Sequence, residues 1–258
     1  MGLTRKNNNL KIQTKLSQKY RGGGNQLNIK ELNKTHNCKI KNLKSKKINQ
    51  ILPFTFENCK NLKKIIIPSN IIKIGNYAFR NCKNLEKVVI PESVIHIGKG
   101  VFENCKSLKK ITFKENKNLN NINLEKVLLK ISDFSFRNCI ELEKIKLPNT
   151  IKIIGHRVFQ NCIKLHDVSL PDDLEKVGKG IFENCLELME IFLPPLLEFI
   201  GINMFKFCKN LKLVSIHIDE EIKLLAIKER AFFNCESLEY INLIDKKIRE
   251  KMIEEDNV

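Results

Sequence analysis

The side chains in this chain best suited to chemistry are nine cysteines, five histidines and a few paired carboxylates, so metal binding, disulfide formation and acid–base catalysis are weighed first. A zinc site wants Cys or His pairs two to four residues apart, and no Cys-x-x-Cys pair occurs. Instead Cys59, Cys82 and Cys105 stand 23 residues apart, as do Cys139, Cys162, Cys185 and Cys208, with gaps of 34 before Cys139 and 27 before Cys235. The histidines, His36, His96, His156, His166 and His217, fall at different phases of this ruler and gather on no shared face. Nucleophile elbow, phosphate loop and His-Glu-x-x-His segment are all missing. The adjacent Asp172 and Asp173 follow Pro171, where exposed acids in a turn are commonplace. No catalytic residue, metal ligand or cofactor is assigned, and the chain reads as a non-enzyme.

The cysteine ruler marks a structural repeat. Phe stands three residues before each of the eight (Phe56, Phe79, Phe102, Phe136, Phe159, Phe182, Phe205, Phe232), Leu three after, Ile or Val six after, and a large apolar residue eight after. Asn precedes all but Cys208, where Phe207 stands instead, and Gly lies seven before in five repeats (Gly75, Gly98, Gly155, Gly178, Gly201). Phe, Cys and Leu at intervals of three share a direction only in a tight turn of 3₁₀ character. Leu62, Ile65 and Ile67 then shift to alternation and stop at Pro68, with equivalent stops at Pro91, Pro148, Pro171 and Pro194, which predicts a short strand in each repeat. Ile71, Ile74 and Gly75 predict a second extended stretch that turns at glycine into the next repeat.

One such unit has apolar residues on every turn and nothing to cover them, so the units must stack. The expected product is a curved solenoid with an arc of about eight parallel strands at ~4.8 Å spacing and columns of Phe, Leu and Ile inside. Extra residues near Lys114 to Lys130 and Asp219 to Leu225 should bulge from one edge. Stacked cysteines would have parallel Cβ vectors, poorly aimed for disulfides, and are expected as buried free thiols, which suits a reducing compartment. The asparagines, one per coil, are expected to bond the backbone of the turn.

The run Leu85-x-x-Val88-x-Ile90-Pro91-x-Ser93-Val94-x-x-Ile97-Gly98-x-x-Val101-Phe102-x-x-Cys105 resembles the 23-residue leucine-rich repeat of BspA-like proteins. The resemblance implies a right-handed leucine-rich-repeat solenoid, with one parallel β-strand per repeat, short 3₁₀ or α turns and a concave strand face. Members are often microbial cell-surface proteins that bind host or matrix proteins, so a surface adhesin or antigen is an alternative function. The expected division is a flexible basic arm over 1–35, a degenerate cap with Cys38 over 36–50, eight repeats over 51–243, and a capping helix and tail over 244–258.

At 258 residues and 42% hydrophobic, the chain is long and apolar enough for a sizeable core, and its longest apolar runs are far below a membrane span. The net charge of +17 is a gradient: +12 over residues 1–50, +9 over 51–150 and −4 beyond. With 39 Lys against 7 Arg, A+T-rich coding bias explains the excess as readily as function does. The arm gives a second alternative, nucleic-acid binding through residues 1–50, argued against by few Arg and the single aromatic Tyr20. Residues 1–30 carry charge throughout, without the apolar stretch of a signal peptide, so a cytoplasmic location is expected, with cell surface and nucleus as alternatives.

The identity of a solenoid lies in what its strands point outward. With the core positions inward, the outward residues are five and seven after each Cys: Lys64, Lys87, Lys110, Lys144, Asp167, Glu190, then Ile66, Val89, Thr112, Lys146, Ser169, Phe192. Four lysines in line, then acids, then apolar residues make a polarised surface. The expected function is protein–protein interaction by a monomer, with an acidic partner segment over the first four coils and a basic or aromatic one beyond; a solvated face of random charge is the competing reading.

Overall fold

The computed structural model describes residues 49–114, 128, 130–218 and 226–245. Every coil crosses two rows of parallel strands. The shorter row holds β1 (Gln50–Ile51), β3 (Lys73–Ile74), β5 (His96–Ile97), β7 (Lys130–Ile131), β9 (Ile153–Ile154) and β11 (Lys176–Val177) in one sheet, and β13 (Phe199–Ile200) with β15 (Ala226–Ile227) in another. The longer row, which takes the place of the concave strand face implied by the leucine-rich-repeat resemblance, holds β2 (Lys64–Ile66), β4 (Lys87–Ile90), β6 (Lys110–Phe113), β8 (Lys144–Lys146) and β10 (Asp167–Ser169), followed by a separate sheet of β12 (Glu190–Leu193), β14 (Leu213–Ile218) and β16 (Tyr240–Asp245). Eight strands therefore stand in line as the repeat demands. They form two sheets, of five and three, where the sequence predicted one arc.

The core follows the ruler. Phe56, Phe79, Phe102, Phe136, Phe159, Phe182 and Phe205 are fully buried and, with Phe232, stack face to face at centroid separations of 4.9–5.7 Å and interplanar angles of 3–10°. The Leu and Ile columns flank them.

The turn edge carries the expected i to i+3 bonds: Cys59 N–H donates to the Phe56 carbonyl and Leu62 N–H to that of Cys59. Among the described residues these bonds do not run on into a helix. Alternate amides leave the coil, with the N–H of Phe54, Phe56 and Asn58 donating to the carbonyls of Asn76, Ala78 and Arg80 in the next one. Such alternation needs left-handed backbone at two positions per turn, and φ lies between 51° and 63° both five residues before each Cys and immediately before it. Asn tolerates that region better than other side chains, which accounts for its place before Cys. The glycines seven before Cys serve differently from the turn predicted for them. A Cβ at Gly75, Gly98, Gly155 or Gly178 would lie 2.4–2.5 Å from an atom of the preceding coil, so close approach excludes a side chain.

The insertions are bracketed by β6 and β7 and by β14 and β15, and their expected bulges lie outside the described residues, as do the basic arm and Cys38. β16 runs on to Asp245, so Ile244 and Asp245 continue the last strand where the sequence placed the start of a capping helix. The rest of that helix lies outside the described residues.

Candidate functional site

On the concave sheet the ladder sets Lys64, Lys87, Lys110, Lys144 and Asp167 side by side in one register. All five are exposed, as are Ile66, Thr112, Lys146, Ser169, Glu190 and Phe192, while Val89 is half-buried. The sequence-predicted site residues thus share one face. The row continues to half-buried Leu213 and exposed Tyr240, but Ser215, in the second outward series, is buried.

Geometry changes the charge reading in one place. Lys144 Nζ lies 3.0 Å from Asp167 Oδ2, so the fourth lysine is neutralised by the first acid. Lys64, Lys87 and Lys110 make no ion pair among the described residues, and they stand on adjacent strands about 4.8 Å apart. Like charges directly opposite in a sheet repel and destabilise it.

The turn edge holds the opposite arrangement, which sequence reasoning missed. Two residues before Cys the side chains run Glu57, Arg80, Glu103, Arg137, Gln160, Glu183, and they pair across coils: Arg80 with Glu57, Arg137 with Glu103, and Gln160 Nε2 donating to Glu183 at 2.8 Å. Arg80 also lies over the Tyr77 ring and Arg137 over that of Phe134, at 4.6 and 4.7 Å. The alternation of sign at a fixed repeat position was the available signal.

The asparagines bond one another instead of the turn backbone. Nδ2 of Asn81, Asn104, Asn138, Asn161 and Asn184 each donates to Oδ1 of the asparagine one coil earlier, at 2.6–3.0 Å. The ladder stops where Phe207 takes the place of Asn.

Among the described residues seven cysteines are free, and all but Cys235 are buried. They are more than small apolar fillers: each Sγ donates to the carbonyl of the Phe one coil back, from Cys82 to Phe56 through Cys235 to Phe205, at 2.9–3.2 Å. Burial pushes the thiols of Cys105, Cys139, Cys162, Cys185 and Cys208 far up and that of half-buried Cys235 up to about 11. The thiolate is the reactive form, so burial makes these groups slow to oxidise, and their being free is weak ground for a reducing compartment. Cys59 departs from the expectation outright, because it is disulfide-bonded.

The histidines are dispersed. His156 Nδ1 accepts the Lys179 N–H at 2.9 Å, taking the place that Asn76 Oδ1 holds toward Lys99 N–H, while His166 Nδ1 lies 3.0 Å from the Lys164 carbonyl. His96 sits between Lys73 and Lys130 in the shorter row, and partial burial, then the two lysines, lower its pKa. No group of three or more His, Cys, Asp or Glu able to hold a metal ion occurs among the described residues.

Comparison with known proteins accords with this geometry. The family model of the BspA type leucine rich repeat region matches in six copies over residues 33–126, 112–239 and 213–255. The chain belongs to the BspA-type leucine-rich repeat family. Among solved structures it resembles the T. pallidum Leucine Rich Repeat protein, at 23% identity and TM-score 0.60, over 80% of this chain and 86% of that one. It also resembles a leucine-rich repeat protein from Bacteroides ovatus, at 26% identity and TM-score 0.62, over 78% of this chain and 48% of that one, so it spans about half of that protein. Comparison with curated proteins gives no match. Among the described residues of this BspA-type solenoid, no helix is long and apolar enough to cross a membrane.

Proposed function

We propose that the chain is a non-enzymatic interaction module that holds a protein partner on its concave strand face. The observation carrying this reading is the row of Lys64, Lys87 and Lys110, in register on adjacent strands and without an ion pair among the described residues, in a molecule whose turn edge pairs Arg with Glu across coils. An acidic segment laid across the first coils relieves that repulsion, and the Lys144 to Asp167 pair marks where the preference for acid ends. Val89, Thr112 and Lys146 line the same face beside the row.

The test is binding of a deca-glutamate peptide to the full chain. Reversing Lys87 and Lys110 together to Glu should lower affinity by about tenfold or more at low salt, an effect lost as salt screens the charges. Reversing Lys83 and Lys106 to Glu makes the same charge change on the turn side of the same coils and should leave most of the affinity. Equal loss in the two variants removes the reading.

Cytoplasmic location is tested directly, by antibody staining of intact and permeabilised source cells. Staining only after permeabilisation supports a cytoplasmic scaffold; staining of intact cells supports a surface antigen.

A further inference from the structure

The concave row is interrupted once. β10 ends its sheet and β12 begins another, and in the shorter row β11 and β13 part in the same way. The turn edge is continuous across this seam: Phe159 stacks on Phe182 at 5.5 Å, Asn184 Nδ2 donates to Asn161, and Phe159 N–H reaches the Ile181 carbonyl at 2.9 Å. The coils are thus joined at one edge and parted at the other.

Two local differences accompany the parting. In two earlier coils a hydroxyl two residues after the proline ties the coil to its predecessor, Ser93 Oγ to the Ile71 carbonyl at 2.8 Å and Thr150 Oγ1 to that of Leu128 at 2.9 Å. After Pro194 that position is Leu196, exposed and without a hydroxyl. Asp173 after Pro171 also lacks one in a coil that keeps both strand pairings to its predecessor, so the missing hydroxyl accompanies the seam and does not by itself open it. A Cβ on Gly201 would come no nearer than 3.2 Å to the preceding coil, against 2.4–2.5 Å at the equivalent glycines, so the backbones stand farther apart here. The core columns respond: Val168, Leu170 and Val177 are only partly buried.

The gap opens on the concave face as a cleft of about 150 Å³ lined by Val168, Ser169, Leu170, Asp172, Phe192, Leu193 and Pro194. That volume suits one ring, since an apolar cavity of about this size holds benzene. Its exposed lining is about half apolar and half polar, and an acid stands beside it. Asp172 lines it, and Glu190, exposed and without an ion pair among the described residues, lies two residues from Phe192 on the same strand face, roughly 6.6 Å along β12.

We infer that this seam anchors one aromatic or large aliphatic side chain of an extended polypeptide partner whose next residue is Lys or Arg. The anchor fills the cleft against Val168, Leu170 and Phe192, and the cation meets Glu190. Buried apolar anchors of this kind carry most of the affinity in protein interfaces. Lys64, Lys87 and Lys110 repel the same basic segment, which fixes it over the later coils. The inference rests on the concave face being the binding face and gives the chemistry of its C-terminal half.

The test uses the full chain with labelled Leu and Val methyl groups, titrated with three capped dipeptides: acetyl-Phe-Lys-amide, acetyl-Phe-Glu-amide and acetyl-Ala-Lys-amide. The Phe-Lys probe should shift the Val168, Leu170 and Leu193 methyl signals saturably, Phe-Glu should bind about fivefold or more weakly, and Ala-Lys should not bind. Ser169→Trp, which fills the cleft from an exposed position, should abolish the shifts, and Glu190→Gln should erase the preference for Lys over Glu while keeping that for Phe over Ala. Methyl signals that stay still up to about 10 mM of every probe, or binding unaffected by Ser169→Trp, would overturn the inference. If those signals titrate while reversal of Lys87 and Lys110 leaves deca-glutamate binding intact, the lysine reading fails and the cleft stands.

Discussion

The turn edge and the concave face share one backbone register and obey opposite rules. Along the turn edge each side chain finds its mate one coil away: Phe on Phe, Asn to Asn, thiol to carbonyl, Arg to Glu. Along the concave face the register is equally strict, yet it sets Lys beside Lys beside Lys. The same solenoid geometry that makes identical neighbours stabilising for stacked rings and amides makes them destabilising for charges. The turn edge therefore holds the molecule together, while the strand face carries residues that the fold alone does not call for.

Raising pH acts chiefly on the buried thiols of the turn edge and is the largest way to test this division. The thiols of Cys105, Cys139, Cys162, Cys185 and Cys208 are held neutral by burial, while in the unfolded chain they ionise near about 8.5. Their pKa is raised on folding, so the stability they contribute is complete below that value and is lost as pH climbs above it. One unit higher, at about pH 9.5, each thiol costs the native state about 1.4 kcal/mol and the five together about 7 kcal/mol, much of a typical domain's stability. Urea midpoints at pH 7.5 and 9.5 should show this fall, and Cys162→Ser, which keeps a donor toward the Phe136 carbonyl, should recover about 1.4 kcal/mol of it. A stability flat across this range would mean that the thiols are not sealed.

Next in size is the ring stack. Phe136→Ala in mid-column should cost about 3–5 kcal/mol in a urea melt, since it removes a buried ring held between Phe102 and Phe159. Truncating Ile66, whose side chain is 45% exposed on the strand face, should stay within about 0.5 kcal/mol. A comparable loss at both sites would erase the distinction between the two regions.

This contrast also explains what the sequence disclosed. Burial acts alike on the inner coils, so Phe136, Cys139, Leu142 and Ile145 recur in phase and the solenoid, its two strand rows and most of the inward set could be read from spacing alone. In the last coil the predicted inward Ile241 and Leu243 are exposed. The outward set followed by alternation, and the residues from Lys64 to Phe192 do share a face. Pairing was less legible. Whether Lys144 stands alone depends on Asp167, 23 residues later, and on side-chain reach that spacing does not encode. The seam at β10 and β12 was hidden because it shows only in which strands pair and in the wider spacing at Gly201, neither of which leaves a periodic mark. The left-handed positions left a faint one, in Gly100 and Gly180 five residues before Cys.

The asparagine ladder offers a finer cut within the turn edge. Asn161 holds φ at 59°, donates to Asn138 and accepts from Asn184. Asn161→Ala loses both bonds and the tolerance for left-handed backbone, about 2–3 kcal/mol in all, whereas Asn161→Gly keeps the backbone and should cost about 1 kcal/mol less. Equal losses would show that the amide bonds matter and the conformation does not.

The smallest effect has the opposite sign. Lys110 lies between Lys87 and Lys144 in register, so Lys110→Glu replaces repulsion with attraction and should stabilise the solenoid by about 0.2–1 kcal/mol at low salt. In about 1 M salt, where charges are screened beyond roughly 3 Å, the gain should vanish. The same substitution should weaken deca-glutamate binding, so fold and partner would pull one residue in opposite directions. Most surface substitutions away from special features change stability by no more than about 0.5 kcal/mol. A position where reversing charge improves the fold and impairs capture is one held for its partner, because composition bias gives no reason for those two changes to oppose each other. A thermal melt and a binding titration on this one variant therefore separate a functional lysine row from an accidental one: stabilisation with unchanged binding would leave the row as an accident of lysine abundance.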